Sequence, residues 1–479
     1  MKNLIAILIS LLITGFSYGQ NCNCEKNFEW VKKTFEENDA GFQYVIEFKG
    51  DLLYENHNKL FLKRVKSISE IEECTKVLYE WLTFFRSGHI AINRLNSINN
   101  EIRQSTPSKI NEIRDTVNID IFEFDKYLNS NKASDFEGIW EIQPYKIGIR
   151  KFENSFVGFI IETSAENWKV GEIKSKFSDK KGVFYLRDKS LEEFTSIKLI
   201  GKNYLQLGRF TLKRVSPKYI TEKSVETYFK LINAEKPFIE ELNKATLLLR
   251  IPSFEGSQKR DIDSVLLVNK SKILKTENLI IDLRNNGGGS DWSYKELIPF
   301  IYTNPIRIVG VEMLSTKLNN QRMLELINNP EFGLDEDTKK WAKTSYDTLE
   351  KHLGTFVNLD STKVDILKLD TIYTYPKNVG IIINKGDGST TEQFLLAAKQ
   401  SRKVKLFGTT TFGVLDISNM HFVKSPCGEF DLGYSLSKSH RIPEMTIDGK
   451  GIQPDYFIDD EIQEYEWIEY VSKILNQQY

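Results

Sequence analysis

The sequence predicts an α/β core preceded by a helical subdomain and carrying an inserted small antiparallel β-domain, and three observations lead there. Two apolar runs, Leu279-Ile280-Ile281-Asp282-Leu283 and Gly380-Ile381-Ile382-Ile383, read as buried strands, and each leads into a glycine-containing turn. After Pro217 such strands alternate with helical periodicity, which is the pattern of an α/β fold. Between about residues 118 and 217 the pattern is instead one of short alternating runs.

The elements follow in order. Lys2, the apolar run from Leu4 to Leu12 and the small-residue end Ser17-Tyr18-Gly19 read as a secretory signal over residues 1–19, cleaved near Gln20. The run is short for a bilayer span, so an exported protein without a transmembrane anchor is expected, periplasmic or extracellular. Cys22, Cys24, Cys74 and Cys427 remain after cleavage, and an oxidising compartment permits disulfides. One bridge from the Cys22/Cys24 pair to Cys74 is expected. Cys22-Asn23-Cys24 has no Cys-His partner pair at zinc-ligand spacing, so no metal is expected.

Residues 20–117 form the predicted helical subdomain. Its clearest face is Ile68, Ile71, Cys74, Val77, Leu78, Trp81, Leu82 and Phe85, with Gly88 as the stop and His89 just beyond it. Residues 118–217 form the β-domain, whose aromatics, Trp140 and Trp168 among them, suit half-buried strands and are assigned no chemistry. Residues 218–461 form the α/β core, with a charged helical excursion near 319–353, and residues 462–479 a terminal amphipathic helix. Lysine and arginine total 65 against 66 acidic residues, which leaves no electrostatic case for a nucleic-acid or anionic-membrane partner.

Two strand-turn elements carry the candidate chemistry. The first strand enters Arg284-Asn285-Asn286-Gly287-Gly288-Gly289, a turn that can aim backbone N–H groups at a ligand. The second enters Gly386-Asp387-Gly388 and then Ser389-Thr390-Thr391-Glu392 at a helix start. Alone, that tetrapeptide is a capping box; at a strand-helix junction the serine is also a candidate nucleophile.

These two elements, followed by Gly408-Thr409-Thr410-Thr411-Phe412-Gly413 and then Gly451-Ile452-Gln453-Pro454-Asp455, resemble the S41 peptidases, over about residues 245–460. That family includes the tail-specific processing proteases, the tricorn core protease and the retinoid-binding protein repeats. The resemblance implies a ClpP/crotonase-like α/β core, a peptide or unfolded-protein substrate, and no cofactor. It places Ser389 as nucleophile and Gly288 and the Thr390 N–H at the oxyanion hole, where a helix N-terminus suits developing negative charge.

The chain departs from the processing proteases where they carry the lysine base and a glutamine four residues on: Val414 and Ser418 stand there. The tricorn-like branch implies instead a histidine from the N-terminal region and a carboxylate just before the Gly-x-x-Pro-Asp motif, which are His89 and Asp448 here. Asp448 is one methylene shorter than the family glutamate. His57, His352 and His421 have no comparable context, and His440 is a reserve base. The expected function is an exported serine peptidase acting through an acyl-enzyme on Ser389. The alternative is an inactive S41-fold peptide- or ligand-binding protein, for which Val414 is the argument.

Overall fold

The computed structural model describes residues 23–95, 116–130, 132–178, 181–330 and 334–477. The expected signal segment and Cys22 lie outside the described residues.

The core is a six-stranded sheet, in spatial order Phe238–Asn243, Thr246–Arg250, Asn278–Asp282, Asn378–Ile383, Val404–Gly408 and Tyr456–Phe457. The first strand is antiparallel and the other pairings are parallel. Every residue of Thr246–Arg250 and Asn278–Asp282 is buried, because both faces of the sheet are covered. On one face, helices Lys259–Ile273 and Thr390–Ala398 pack on Leu247, Leu249, Leu279, Ile281 and Ile381. On the other, helix Trp467–Gln477 packs through Trp467, Ile468, Val471 and Leu475 on Leu248, Ile280 and Ile382. This helix starts later than its sequence pattern suggests, because Ile462 serves as a turn whose carbonyl accepts from Trp467 Nε1 at 3.0 Å.

The sheet also carries the charged residues that follow its apolar strands. Arg284 donates from Nη2 to Asp282 Oδ2 at 2.7 Å and from Nη1 to the Glu464 carbonyl at 2.7 Å, with both side chains at most 1 % exposed. Arg250 joins them through the Asp282 and Arg284 carbonyls. Asp282→Ala should therefore strand two buried guanidinium groups and cost about 3–5 kcal/mol, read as a lower urea midpoint.

Helices Cys24–Asn38, Phe42–Lys49, Asp51–Val65 and Ile71–Leu82 make up the N-terminal region, and a disulfide joins Cys24 to Cys74. This region shares a hydrophobic core with the α/β part. Phe28, Phe35, Trp81 and Phe85 pack in one cluster with Phe430, Leu432, Tyr434 and Leu436, and strand Ala91–Arg94 pairs antiparallel with Phe430–Ser439. Phe430–Ser439 also pairs with Ile417–Lys424 and Val311–Leu314. Helices Lys317–Asn328 and Glu336–Leu349 account for the charged excursion and bury Met323, Ala342 and Leu349 between them.

Strands between Gly138 and Ser216 form a nine-stranded antiparallel sheet, in which Gly138–Ile142 pairs with both Tyr145–Phe152 and Phe210–Ser216. Trp140 and Trp168 are in its core, at 0 % and 4 % exposure. No helix among the described residues is long and apolar enough to cross a membrane.

Candidate active site

Ser389 lies between strand Asn378–Ile383 and helix Thr390–Ala398, with φ 57° and ψ −125°. A non-glycine residue held there stores about 1–3 kcal/mol of strain, so the surrounding turn must impose it. Asp387 does much of this: fully buried, its carboxylate accepts from the N–H groups of Asn286 at 2.9 Å and Asn384 at 2.8 Å. Burial pushes the Asp387 carboxyl well above the usual range, against those two N–H bonds.

His89 reaches this serine across 300 residues of sequence. Its Nε2 is 3.1 Å from Ser389 Oγ, and its Nδ1 is 2.7 Å from the carbonyl oxygen of Ile417. A carbonyl only accepts, so Nδ1 carries the proton and Nε2 presents its lone pair to the serine hydroxyl. Burial lowers the His89 pKa, the Ile417 bond opposes that shift, and the imidazole is neutral near neutral pH. The turn carrying it is fixed by Arg86, which donates to the carbonyls of Gly88 at 3.1 Å and His89 at 2.9 Å and pairs with buried Asp39.

Asp448 differs from its expected place beside the imidazole. Its Oδ1 accepts from the N–H groups of Leu415 at 2.6 Å and Asp416 at 2.7 Å, and its Oδ2 from Ile417 at 3.1 Å. The carboxylate thus holds the segment whose carbonyl holds His89. Asp416 returns the arrangement, accepting from the N–H groups of Ile447 and Asp448 and from Arg441 Nε at 2.8 Å. With an aspartate at 448 engaged by three backbone donors, a main-chain carbonyl takes the position next to the ring.

The Gly288 N–H, expected to face the reacting oxygen, donates to Asn286 Oδ1 at 3.1 Å. Gly288 matters sterically: at φ 102° it abuts the nucleophile, and an added Cβ would lie 2.8 Å from both Ser389 Cβ and Thr390 N. Thr390 stands at the first position of its helix, where an N–H has no partner within the helix. Its hydroxyl donates to the Gly289 carbonyl at 3.0 Å, tying the glycine turn to the helix start.

Two residues had broader roles than their sequence context suggested. Asn286 Oδ1 accepts from Phe254 N, Gly288 N and Thr391 Oγ1, and so sets the shape of the glycine turn. Glu392, the capping-box glutamate, accepts from Ser389 N at 3.3 Å but also from Thr411 Oγ1, Gly413 N and Val414 N. Its burial raises its pKa while these donors oppose the shift. The reserve histidine, His440, has Nε2 buried without a partner, and Lys438 pairs with Glu312 at 3.2 Å.

A serine hydroxyl at a helix start, bonded to an imidazole of fixed tautomer, has the geometry of a serine hydrolase site. Residues 245–458 match the model of Peptidase family S41, so this segment of the chain is similar to that family. Its fold is similar to that of mature CPAF, with a TM-score of 0.52 and 12 % identity over 95 % of this chain and 96 % of that one. The complex of mature CPAF with lactacystin gives the same TM-score at 13 % identity, covering 95 % and 97 %. At such identities the likeness concerns the fold alone. No curated protein matches the chain.

Proposed function

We propose that this protein is an exported serine peptidase that cleaves peptides or unfolded proteins through an acyl-enzyme on Ser389. The observation that carries the reading is the 3.1 Å contact between Ser389 Oγ and a His89 Nε2 whose tautomer is set by the Ile417 carbonyl. In this reading Ser389 Oγ attacks the scissile carbonyl carbon as its proton passes to His89 Nε2. The imidazolium then protonates the leaving amine, and water releases the acyl group with His89 again as base. The Thr390 N–H, with a donor from the Gly288-Gly289 turn, receives the oxyanion; Gly288 supplies its own N–H only by leaving Asn286. Export is supported by the Cys24–Cys74 bridge, which belongs to an oxidising compartment.

The test is labelling with a fluorophosphonate, the adduct being mapped by peptide mass spectrometry. An adduct on Ser389 is expected. A folded protein unlabelled from about pH 5 to about pH 10 that still bound peptide would transfer the cleft to the binding-protein alternative.

Asp448 acts in this mechanism as a positioning residue. Asp448→Asn replaces one accepting oxygen by an NH2 group aimed at backbone donors, loosening the segment that carries the Ile417 carbonyl. It should lower kcat/KM by about 10- to 100-fold, and by less than removal of His89, since the imidazole itself remains.

A further inference from the structure

We infer that Val414, which stands where the processing proteases carry their lysine, is a positioning residue that sets the approach of His89 to Ser389. The inference rests on the Ser389–His89 reading above. Val414 is 9 % exposed and lies between two glycines, each adjacent to one member of the pair. A Cβ built on Gly88, the neighbour of His89, would be 2.4 Å from Val414 Cγ1; one built on Gly388, the neighbour of Ser389, would be 2.9 Å from Val414 Cγ2. Each methyl of the valine therefore fills the notch left by one glycine.

The wedge is fixed on the nucleophile side. Glu392 accepts from the N–H of Val414 at 2.8 Å with the same Oε2 that accepts from the N–H of Ser389. The position of the Val414 backbone is thus defined relative to Ser389. A β-branched side chain has little freedom at χ1, so both methyls are fixed as well. The turn bearing His89 rests on Val414 Cγ1 and is also held by Arg86 and the Ile417 carbonyl. Neither glycine has a positive φ, so its requirement at these positions is one of space. A lysine at 414 has a single γ carbon and leaves one notch empty; the valine fills both at the cost of a proton acceptor, which His89 supplies.

The experiment overfills and then relieves the contact. Gly88→Ala should lower the second-order rate of fluorophosphonate labelling by about 100-fold, the effect of a displacement of roughly 1 Å between reacting groups. Adding Val414→Ala removes the atom at 2.4 Å and leaves Val414 Cβ and Phe412 Cε1, each at 3.1 Å, contacts that need a shift of a few tenths of an ångström. The double variant should therefore label at least about 10-fold faster than Gly88→Ala alone, although it has lost more packing. Val414→Ala by itself should slow labelling by about 10-fold, and Val414→Thr, which keeps the branched shape, should label within about threefold of the wild type. Melting temperatures recorded alongside separate rate from stability. A Gly88→Ala protein that labels at the wild-type rate, or a double variant no faster than it, overturns the inference. If Gly88→Ala does not fold, an unchanged rate in Val414→Ala overturns it instead. A wild-type protein that does not label at all would instead overturn the Ser389–His89 reading.

Discussion

Ser389→Ala is expected to abolish peptide hydrolysis and fluorophosphonate labelling while leaving the protein folded. The hydroxyl is the attacking group in the proposed mechanism, and loss of a serine nucleophile costs about a millionfold in turnover where such sites have been dissected. The structural cost is small by comparison. The hydroxyl's partner is His89 Nε2, so its removal forfeits one partly buried hydrogen bond, about 1 kcal/mol. The Glu392 bond to the Ser389 N–H survives, and alanine meets the same backbone strain at φ 57° as serine. Intact-mass labelling and a urea melt on one preparation check both halves. A variant that keeps its adduct would remove Ser389 from the mechanism.

The second large effect concerns His89 and pH. His89→Ala should reduce the acylation rate by at least about 1,000-fold, since it removes the imidazole hydrogen-bonded to the serine hydroxyl. In the wild type, only the neutral imidazole can accept the serine proton, so the acylation rate should rise with pH through the His89 pKa and then level off. Burial lowers that pKa, placing the midpoint below the ordinary histidine value of about 6.5. Full activity is then present at neutral pH and is lost on acidification through the folded-state pKa. The measurement is the labelling rate against pH. A midpoint above that ordinary value, or a rate still climbing at alkaline pH, would point to a different base.

Much of the fold was legible because its signals are local. The strands Asn278–Asp282 and Asn378–Ile383 are nearly continuous apolar runs, as buried parallel strands must be, and the residues after each mark a turn. What escaped was of two kinds. The strong amphipathic faces of the helical N-terminal region mark its helices but do not say what covers them. Those faces are completed by alternate residues of Phe430–Ser439, far along the chain, and nothing in local periodicity reports that partnership. The site was harder wherever the main chain does the bonding. Ile417 contributes a carbonyl and Leu415 to Ile417 contribute N–H groups, and every residue type offers these, so no side-chain pattern marks them. Glu392 was visible as a capping residue, but a capping box accounts for one of its four bonds; the other three close on residues 411–414.

The separation of the two reacting side chains has a bearing on biosynthesis. During translation His89 emerges 300 residues before Ser389. Even then the imidazole lacks its orienting carbonyl until Ile417 has been made and Asp448 has closed on its segment. On the proposed mechanism a nascent chain is inert until the residues through Asp448 have been made, and a product truncated before Asp448 stays so. An unfinished chain therefore cannot cut itself, although an unfolded chain is the kind of substrate the finished protein is proposed to cleave.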